Sequence, residues 1–415
     1  ELEARKNSEW LNERRAEEVK TLIHDVLSDA DTRASLMGSG LAAGYDDGFY
    51  LSSEDGGLLL RVDGRVQVRT TWNERDDDGG GIDENERGTE VRRANLTFSG
   101  QIGSGNSYSV GLESKIDLGF DRLDLDHAWI RHDLSEDLAV RMGEFKGAFL
   151  HEELTSASHQ LAAERSLMNE VFTTGRVQGL ELIWTVSEDL NVVAGLNDGS
   201  RSGEGANTLG AVGFDADATD AGLGARADLL LSGGWDQFND FTAAGDDPTA
   251  IKIGGAIHYE AGETGEDTVN ANSLAWTIDL AIESQGLNGF VALAGLNEDQ
   301  DAAGVHNQDM VGVVAQVGYR LTDAIEPFVR YEWIDLDGGN TNALTEDELN
   351  LLTIGANYYM NNHAAKVTLD VVYALDTIPA AADMNGADAS GLGLLADDGA
   401  EDDQMAVRLQ FQLLF

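Results

Sequence analysis

The chain lacks cysteine, has only 3 prolines in 415 residues, and contains no apolar run long enough to cross a bilayer as a helix. Without cysteine, a disulfide framework or a thiolate metal site is impossible. The scarcity of proline argues against a proline-rich linker, whereas 48 glycines suit many strands and turns. A large soluble protein or a large β-barrel remains.

The net charge of -48 comes without basic clusters, which excludes nucleic acid as a partner. Two classes of protein tolerate such acidity. One is a soluble protein adapted to high salt, with carboxylates over its whole surface. The other is a barrel with acidic exposed loops, so the placement of the acidic residues distinguishes the two.

Residues 1–40 differ in composition from the rest. Residues 1–37 contain no glycine, and their apolar residues, such as Leu22, Val26 and Ala30, recur at helical spacing until glycines follow at 38 and 40. The pattern predicts a short N-terminal amphipathic helix. It would pack in an oligomer or on the body, or contact a periplasmic partner or peptidoglycan.

From residue 45 to 415 the apolar period changes to two. Val62, Val66 and Val68 alternate with Arg65 and Arg69, for example, which gives one apolar and one polar face. About sixteen segments of ~9–14 residues repeat this pattern, and each has the length of a tilted membrane strand. They begin near residues 58, 91, 107, 122, 138, 176, 190, 222, 250, 274, 287, 310, 326, 349, 364 and 404.

Connections between these segments tend to alternate between tight turns and long, acidic or glycine-rich loops, as in bacterial outer-membrane barrels. The link 119–121 is short where a long loop is due, and 232–249 is long where a turn is due. Most acidic runs fall in the long loops, whereas the apolar strand faces carry almost no charge. We therefore predict an all-β fold, a transmembrane antiparallel barrel of about 16 strands, with both termini periplasmic. The strand that ends at Phe415 should close the barrel.

Several segments resemble the phosphate-selective porin O/P family of outer-membrane porins. They are GFYLSSEDG (48–56) leading into LRVDGRVQ (60–67), RRANLTFSG (92–100), VRMGEFKGAFLHEELTS (140–156), AERS (163–166) and GRVQG (175–179). The resemblance implies a homotrimer in the bilayer and lipopolysaccharide of the outer membrane. It also implies that a loop at about 146–175 folds into the lumen as a constriction.

The expected pore-lining residues are the inward-facing basic side chains and the charged residues of that loop. They are Arg61, Arg65, Arg69, Arg93, Lys115, Arg141, Lys146, Glu152, Glu153, Arg165, Arg226, Lys252 and Arg330. The spacing of Arg61, Arg65 and Arg69 predicts a row along one inner wall, where an anion could move from one binding site to the next. Alternatively, such charges only pair across neighbouring strands and hold the wall.

The expected function is passive diffusion of small hydrophilic solutes or ions. An anion- or phosphate-preferring porin is one alternative, although no Arg-x-Arg-x-Arg run occurs. A structural envelope protein that tethers neighbours is another. No G-x-S-x-G, H-E-x-x-H or phosphate-binding loop occurs, so we expect no enzyme. We expect no cofactor except divalent cations such as Ca²⁺, loosely bound by acidic loops with Asp335, Asp337 and Glu346 as weak candidates.

Overall fold

The computed structural model describes most of the barrel. It covers residues 41–45, 48–53, 57–75, 85–103, 110–118, 123–200, 221–264, 269–300, 308–336, 348–379, 384, 389–396 and 404–415. The helix predicted for residues 1–40 lies outside these ranges. Within them, no helix has the length and apolarity that a membrane span requires.

The strands are β1 (Leu41–Tyr45), β2 (Phe49–Ser53), β3 (Leu58–Glu74), β4 (Glu86–Ile102), β5 (Val110–Leu118), β6 (Leu123–Asp133), β7 (Leu138–Lys146), β8 (Arg176–Ser187), β9 (Leu190–Asn197), β10 (Ala221–Ser232), β11 (Ala250–Thr264), β12 (Val269–Ser284), β13 (Leu287–Gln300), β14 (Gln308–Tyr319), β15 (Ile325–Asp335), β16 (Glu348–Asn361), β17 (Ala365–Ala374) and β18 (Gln404–Leu414). The described helices are α1 (His151–Leu154), α2 (Leu167–Phe172) and the 3₁₀ turns Trp235–Asn239 and Ala389–Leu392.

Strands β3 to β18 form a closed antiparallel barrel of 16 strands, as predicted. Each strand pairs with the next, and β18 pairs back with β3. At this seam the backbone N–H of Phe415 donates to the Gly64 carbonyl at 3.0 Å, and that of Gly64 donates to the Phe415 carbonyl at 2.6 Å. The Phe415 ring packs over Gly64, where a Cβ would lie 2.3 Å from it, so a larger residue at position 64 would displace the ring.

The hairpin β1–β2 precedes the sixteen barrel strands. β2 pairs with the first residues of β3, where Phe49 lies opposite Val62 and Ser52 opposite Leu59. β18 pairs with β3 only from Arg65 onward. The hairpin therefore continues the sheet beyond the end of the closing strand. The segment 48–67, which carries part of the family resemblance, is divided between β2 and β3.

The outer face is apolar and exposed, as strand alternation predicts. Ile130, Met142 and Ile278 are 60%, 66% and 58% exposed. Side chains of this kind over a whole barrel wall fit contact with lipid.

The lumen side of β11–β18 is not uniformly polar, contrary to the expectation of a wetted inner face. Ala292, Val314 and Phe328 point inward there and are buried in a hydrophobic cluster with Leu167 and Phe172 of the loop between β7 and β8. A loop that packs on these residues removes them from water. We call this side of the lumen the filled half, and the side along β3–β8 the open half.

Candidate ion passage

The loop between β7 and β8, residues 147–175, lies inside the barrel, and we call it the inner loop. Its helix α2 is capped by Ser166, whose hydroxyl accepts from the Asn169 backbone N–H at 2.9 Å. Its side chains pack against the filled half. The Phe172 ring, for example, lies over Gly312 of β14, where a Cβ would come within 2.5 Å of it.

Hydrogen bonds fix the inner loop to the wall opposite its own strands. The backbone N–H of Ala163 donates to the Asp370 carboxylate at 2.9 Å, and that of Met168 donates to Glu332 at 3.0 Å. The Lys366 ammonium donates to the Gln160 carbonyl at 2.8 Å. These hydrogen bonds join the backbone of the inner loop to charged side chains of the wall. They therefore hold the loop in a defined position across the lumen.

One carboxylate of the inner loop holds three guanidinium groups of the wall. Glu164 lies 2.9 Å from Arg92 Nε, 2.5 Å from Arg93 Nη2 and 3.4 Å from Arg69 Nη1, and it is only 2% exposed. Burial opposes its ionisation, but the charges of Arg93 and Arg92 hold the pKa of Glu164 well below its usual range. Glu164 therefore neutralises part of the positive charge of Arg69 and Arg93, which were expected to contact the solute.

Several predicted pore-lining residues lie beneath the inner loop. Arg69 and Arg330 are each 1% exposed, and they pair with Glu90 at 2.6 Å and Glu332 at 3.0 Å respectively. The prediction that these two contact passing solute is wrong, because the loop covers them. The anion-transfer row of Arg61, Arg65 and Arg69 is therefore interrupted at Arg69.

Arg226 and Lys252 lie on the neighbouring wall of β10 and β11. Arg226 pairs with Asp279 at 2.8 Å and donates to the Phe149 carbonyl at 2.6 Å. Lys252 Nζ lies 3.0 Å from His151 Nδ1. Both are almost fully buried, and both line a small cavity of about 360 Å³ beside the inner loop.

The two predicted acidic residues of the loop are internal to it. Glu152 accepts from the Ser166 backbone at 2.8 Å and is buried. Glu153 pairs with Arg165 at 3.3 Å and Lys146 at 3.5 Å. Burial opposes ionisation of Glu153, but the charge of Arg165 lowers its pKa to about 2.

A cavity of about 1050 Å³ separates the inner loop from the open half, and we call it the basic cavity. Its lining includes three acidic residues (Asp63, Glu113 and Asp126) and seven basic residues, namely Arg65, Arg93, Lys115, Arg141, Lys146, Arg165 and Arg176. Six of these seven are among the predicted pore-lining residues. Arg61, the remaining predicted residue, lies on the part of β3 that pairs with β2.

Arg65 differs from the other basic residues of this cavity. Its Nε donates to the amide oxygen of Asn95 at 2.9 Å. By contrast, Lys115 and Arg176 share Asp126 at 2.6 and 2.7 Å, and Arg141 pairs with Glu181 at 2.5 Å. A neutral partner leaves the positive charge of Arg65 uncompensated by direct contact.

Strand alternation did not predict that two residues of this network, Asp126 and Arg92, face the lumen. The pairing of β5 with β6 shifts between Lys115 and Ile116, so that Asp126 reaches the lumen beside His127. A similar shift between Gln67 and Val68 lets Arg92 and Arg93 both reach Glu164. Each bulge adds one residue to a strand, which strict alternation cannot foresee.

The described residues contain no group of three or more His, Asp or Glu side chains placed to hold a metal ion. Of the weak calcium candidates, Asp335 is the last residue of β15. Asp337 and Glu346 lie outside the described residues. Calcium binding by the acidic loops stays a prediction.

Comparison with solved structures places the fold among outer-membrane porins. The anion-selective porin from Comamonas acidovorans is 13% identical, with a TM-score of 0.58, and the match covers 86% of this chain and 100% of that one. The outer-membrane channel DcaP of Acinetobacter baumannii is 12% identical, with a TM-score of 0.57 over 90% and 100%. OmpT of Vibrio cholerae, solved in a trimer form, is 10% identical, with a TM-score of 0.53 over 86% and 99%.

At such identities these likenesses establish the fold alone. None of the curated proteins compared matches the sequence. The family model for phosphate-selective porin O and P, however, matches residues 62–413, which is nearly the whole barrel. The chain is an outer-membrane channel protein and belongs to the phosphate-selective porin O and P family.

Proposed function

We propose that this porin passes small anions in preference to cations, and that they move through the basic cavity. The observation that carries the proposal is the lining of that cavity, which has seven basic and three acidic residues. A water-filled passage with an excess of fixed positive charge concentrates anions and repels cations.

The basic groups differ in how they would act on an anion. Arg93, Arg141, Lys146 and Arg165 each lie beside a carboxylate, which reduces the field they project. Arg65, held by an amide, retains most of its charge. The arrangement favours a broad preference for anions over tight phosphate binding, because the described part of the cavity wall offers no cluster of unpaired guanidinium groups.

The acidity of the rest of the chain works against this preference. A net charge of -48 repels anions before they enter. Salt screens charges on exposed loops more than charges in a narrow passage. The anion preference should therefore increase as ionic strength rises from low to physiological values.

The surroundings of the barrel are also part of the proposal. A homotrimer is supported by the trimer form of the OmpT neighbour. We place the turns 134–137, 188–189 and 360–363, and both chain termini, on the periplasmic side, as the alternation of loops and turns predicts. Lipid and lipopolysaccharide would contact the outer wall, and the segment 1–40 would contact the periplasm or peptidoglycan. The proposed role is transport without catalysis.

Planar-bilayer recording of the purified protein tests this function. With a tenfold KCl gradient, the current of single channels should reverse at a potential directed toward the chloride equilibrium. A reversal potential directed toward the potassium equilibrium would remove the anion proposal but keep the channel. Absence of step conductance would instead favour the structural envelope alternative.

A further inference from the structure

A second cavity, of about 690 Å³, opens at the turn end of the barrel and has the opposite charge to the basic cavity. We call it the acidic cavity. Its lining includes Arg320, His363 and six carboxylates, those of Asp236, Asp240, Asp246, Asp247, Glu283 and Asp323. Neither the porin family nor the proposed anion passage accounts for it.

The long connection between β10 and β11, residues 233–249, supplies four of these carboxylates and folds into the barrel. The backbone N–H of Phe241 donates to the His159 carbonyl of the inner loop at 3.3 Å, and the Phe241 ring packs 5.1 Å from that of Phe290. The connection is anchored, so its carboxylates have defined positions relative to the barrel wall.

Glu283 is the buried member of the set, at 1% exposure. Its Oε1 accepts from the Asn288 amide at 3.0 Å, but among the described residues its Oε2 has no hydrogen-bond partner. The guanidinium of Arg320 donates to Asn362 Oδ1 at 3.0 Å and to the Asp323 carbonyl at 2.8 Å, so it does not satisfy Glu283. A buried carboxyl oxygen without a hydrogen-bond partner is costly, and an ammonium group of a ligand would donate to it and favour its ionised form.

The spacing of the carboxylates restricts what that ligand is. No three acidic or histidine side chains of the described residues converge enough to coordinate one metal ion. Dispersed carboxylates instead match a cation whose positive charges are themselves separated along a chain. The cavity has room for such a chain, since its 690 Å³ corresponds to roughly 20 water volumes of about 30 Å³.

We propose that the acidic cavity binds linear oligoamines, with one ammonium group donating to Glu283 Oε2 and the others lying near Asp236 and Asp246. The acidic cavity shares Asn362 and His363 with the basic cavity. A bound oligoamine would therefore lie beside the ion passage. The inference is independent of whether that passage prefers anions.

Isothermal titration of the full-length protein in detergent at low salt, with spermidine as the probe, tests the proposal. We expect saturable binding that the double variant Asp236→Asn/Asp246→Asn weakens about fivefold, at about 0.2–1 kcal/mol for each exposed charge pair. The variant Glu283→Gln should weaken it as well. Since no hydrogen bond of the Asp236 or Asp246 side chain to another described residue is apparent, the double variant should keep the unfolding midpoint of the parent.

The matched control is Asp137→Asn/Asp189→Asn, which removes two charges from other turns at the same end of the barrel. Its affinity for spermidine should stay within about twofold of the parent. An equal loss in the control would show only diffuse attraction to an acidic surface and overturn the proposal. Absence of saturable heat, or tighter binding of Mg²⁺ than of spermidine, would overturn it too.

Discussion

The two halves of the lumen are formed by one continuous sheet, but one half is packed and the other lines a cavity. In the filled half, Ala292, Val314 and Phe328 pack against the inner loop and exclude water. In the open half, Arg65 and Lys115 line a cavity of about 1050 Å³. The inner loop is a folded insert with its own apolar core. It therefore sets the position of the passage as well as narrowing the barrel.

The boundary between the halves, where Glu164 contacts Arg69, Arg92 and Arg93, should be the most sensitive to substitution. The substitution Glu164→Leu leaves buried guanidinium groups without their carboxylate, which should cost about 3–5 kcal/mol of unfolding free energy. Chemical unfolding in detergent measures this loss. The exposed substitution Glu136→Leu is the control and should have little effect, and a similar cost for both would contradict the role of the cluster.

The filled half is tested directly by Phe290→Ala. Phe290 is buried and lies 5.1 Å from the Phe241 ring and 5.6 Å from His151. Its truncation should lower the unfolding free energy by about 3 kcal/mol, because a cavity remains in the core. The lipid-facing Phe411→Ala, in which the lost side chain is 45% exposed, is the matched control. Equal losses would show that the filled half has no core of its own.

In the open half, Arg65→Gln removes a positive charge whose direct hydrogen-bond partner is the neutral amide of Asn95. A unit charge acting over about 4–8 Å in water-like surroundings contributes about 0.5–1 kcal/mol, so the anion-to-cation permeability ratio should fall about two- to fivefold. Reversal potentials under a KCl gradient measure the ratio. The same substitution at Arg131, which pairs with Asp133 at 2.9 Å outside this cavity, should change it less.

We also expect a weak pH dependence of the anion selectivity. Burial and the charges of Glu153 and Glu164 raise the pKa of Glu170 to about 7. The carboxyl is therefore neutral below that pH and gains a negative charge above it, close to Arg93 and Arg165. The anion preference should fall by less than about twofold between pH 6 and pH 8. The variant Glu170→Gln should remove this pH dependence. A larger pH dependence in the variant would show that another titrating group causes it.

Alternation along single strands predicted the sixteen barrel strands and the closing role of Phe415, because side-chain direction is a local property of a strand. It misplaced Asp126 and Arg92, since a bulge shifts the register by one residue. It also missed that Arg69 is covered. Periodicity shows which residues share a face, whereas only the path of the inner loop decides which part of that face meets water.

Because the chain has no native cysteine, single introduced cysteines can report which part of the lumen conducts ions. Thr97 lines the basic cavity, whereas Thr353 points into the filled half and is fully buried. Each is changed to cysteine and treated, in a planar bilayer, with a negatively charged thiol reagent. We expect Thr97→Cys to lose conductance and anion preference on treatment and Thr353→Cys not to respond. Rapid block of Thr353→Cys with no effect on Thr97→Cys would contradict this expectation.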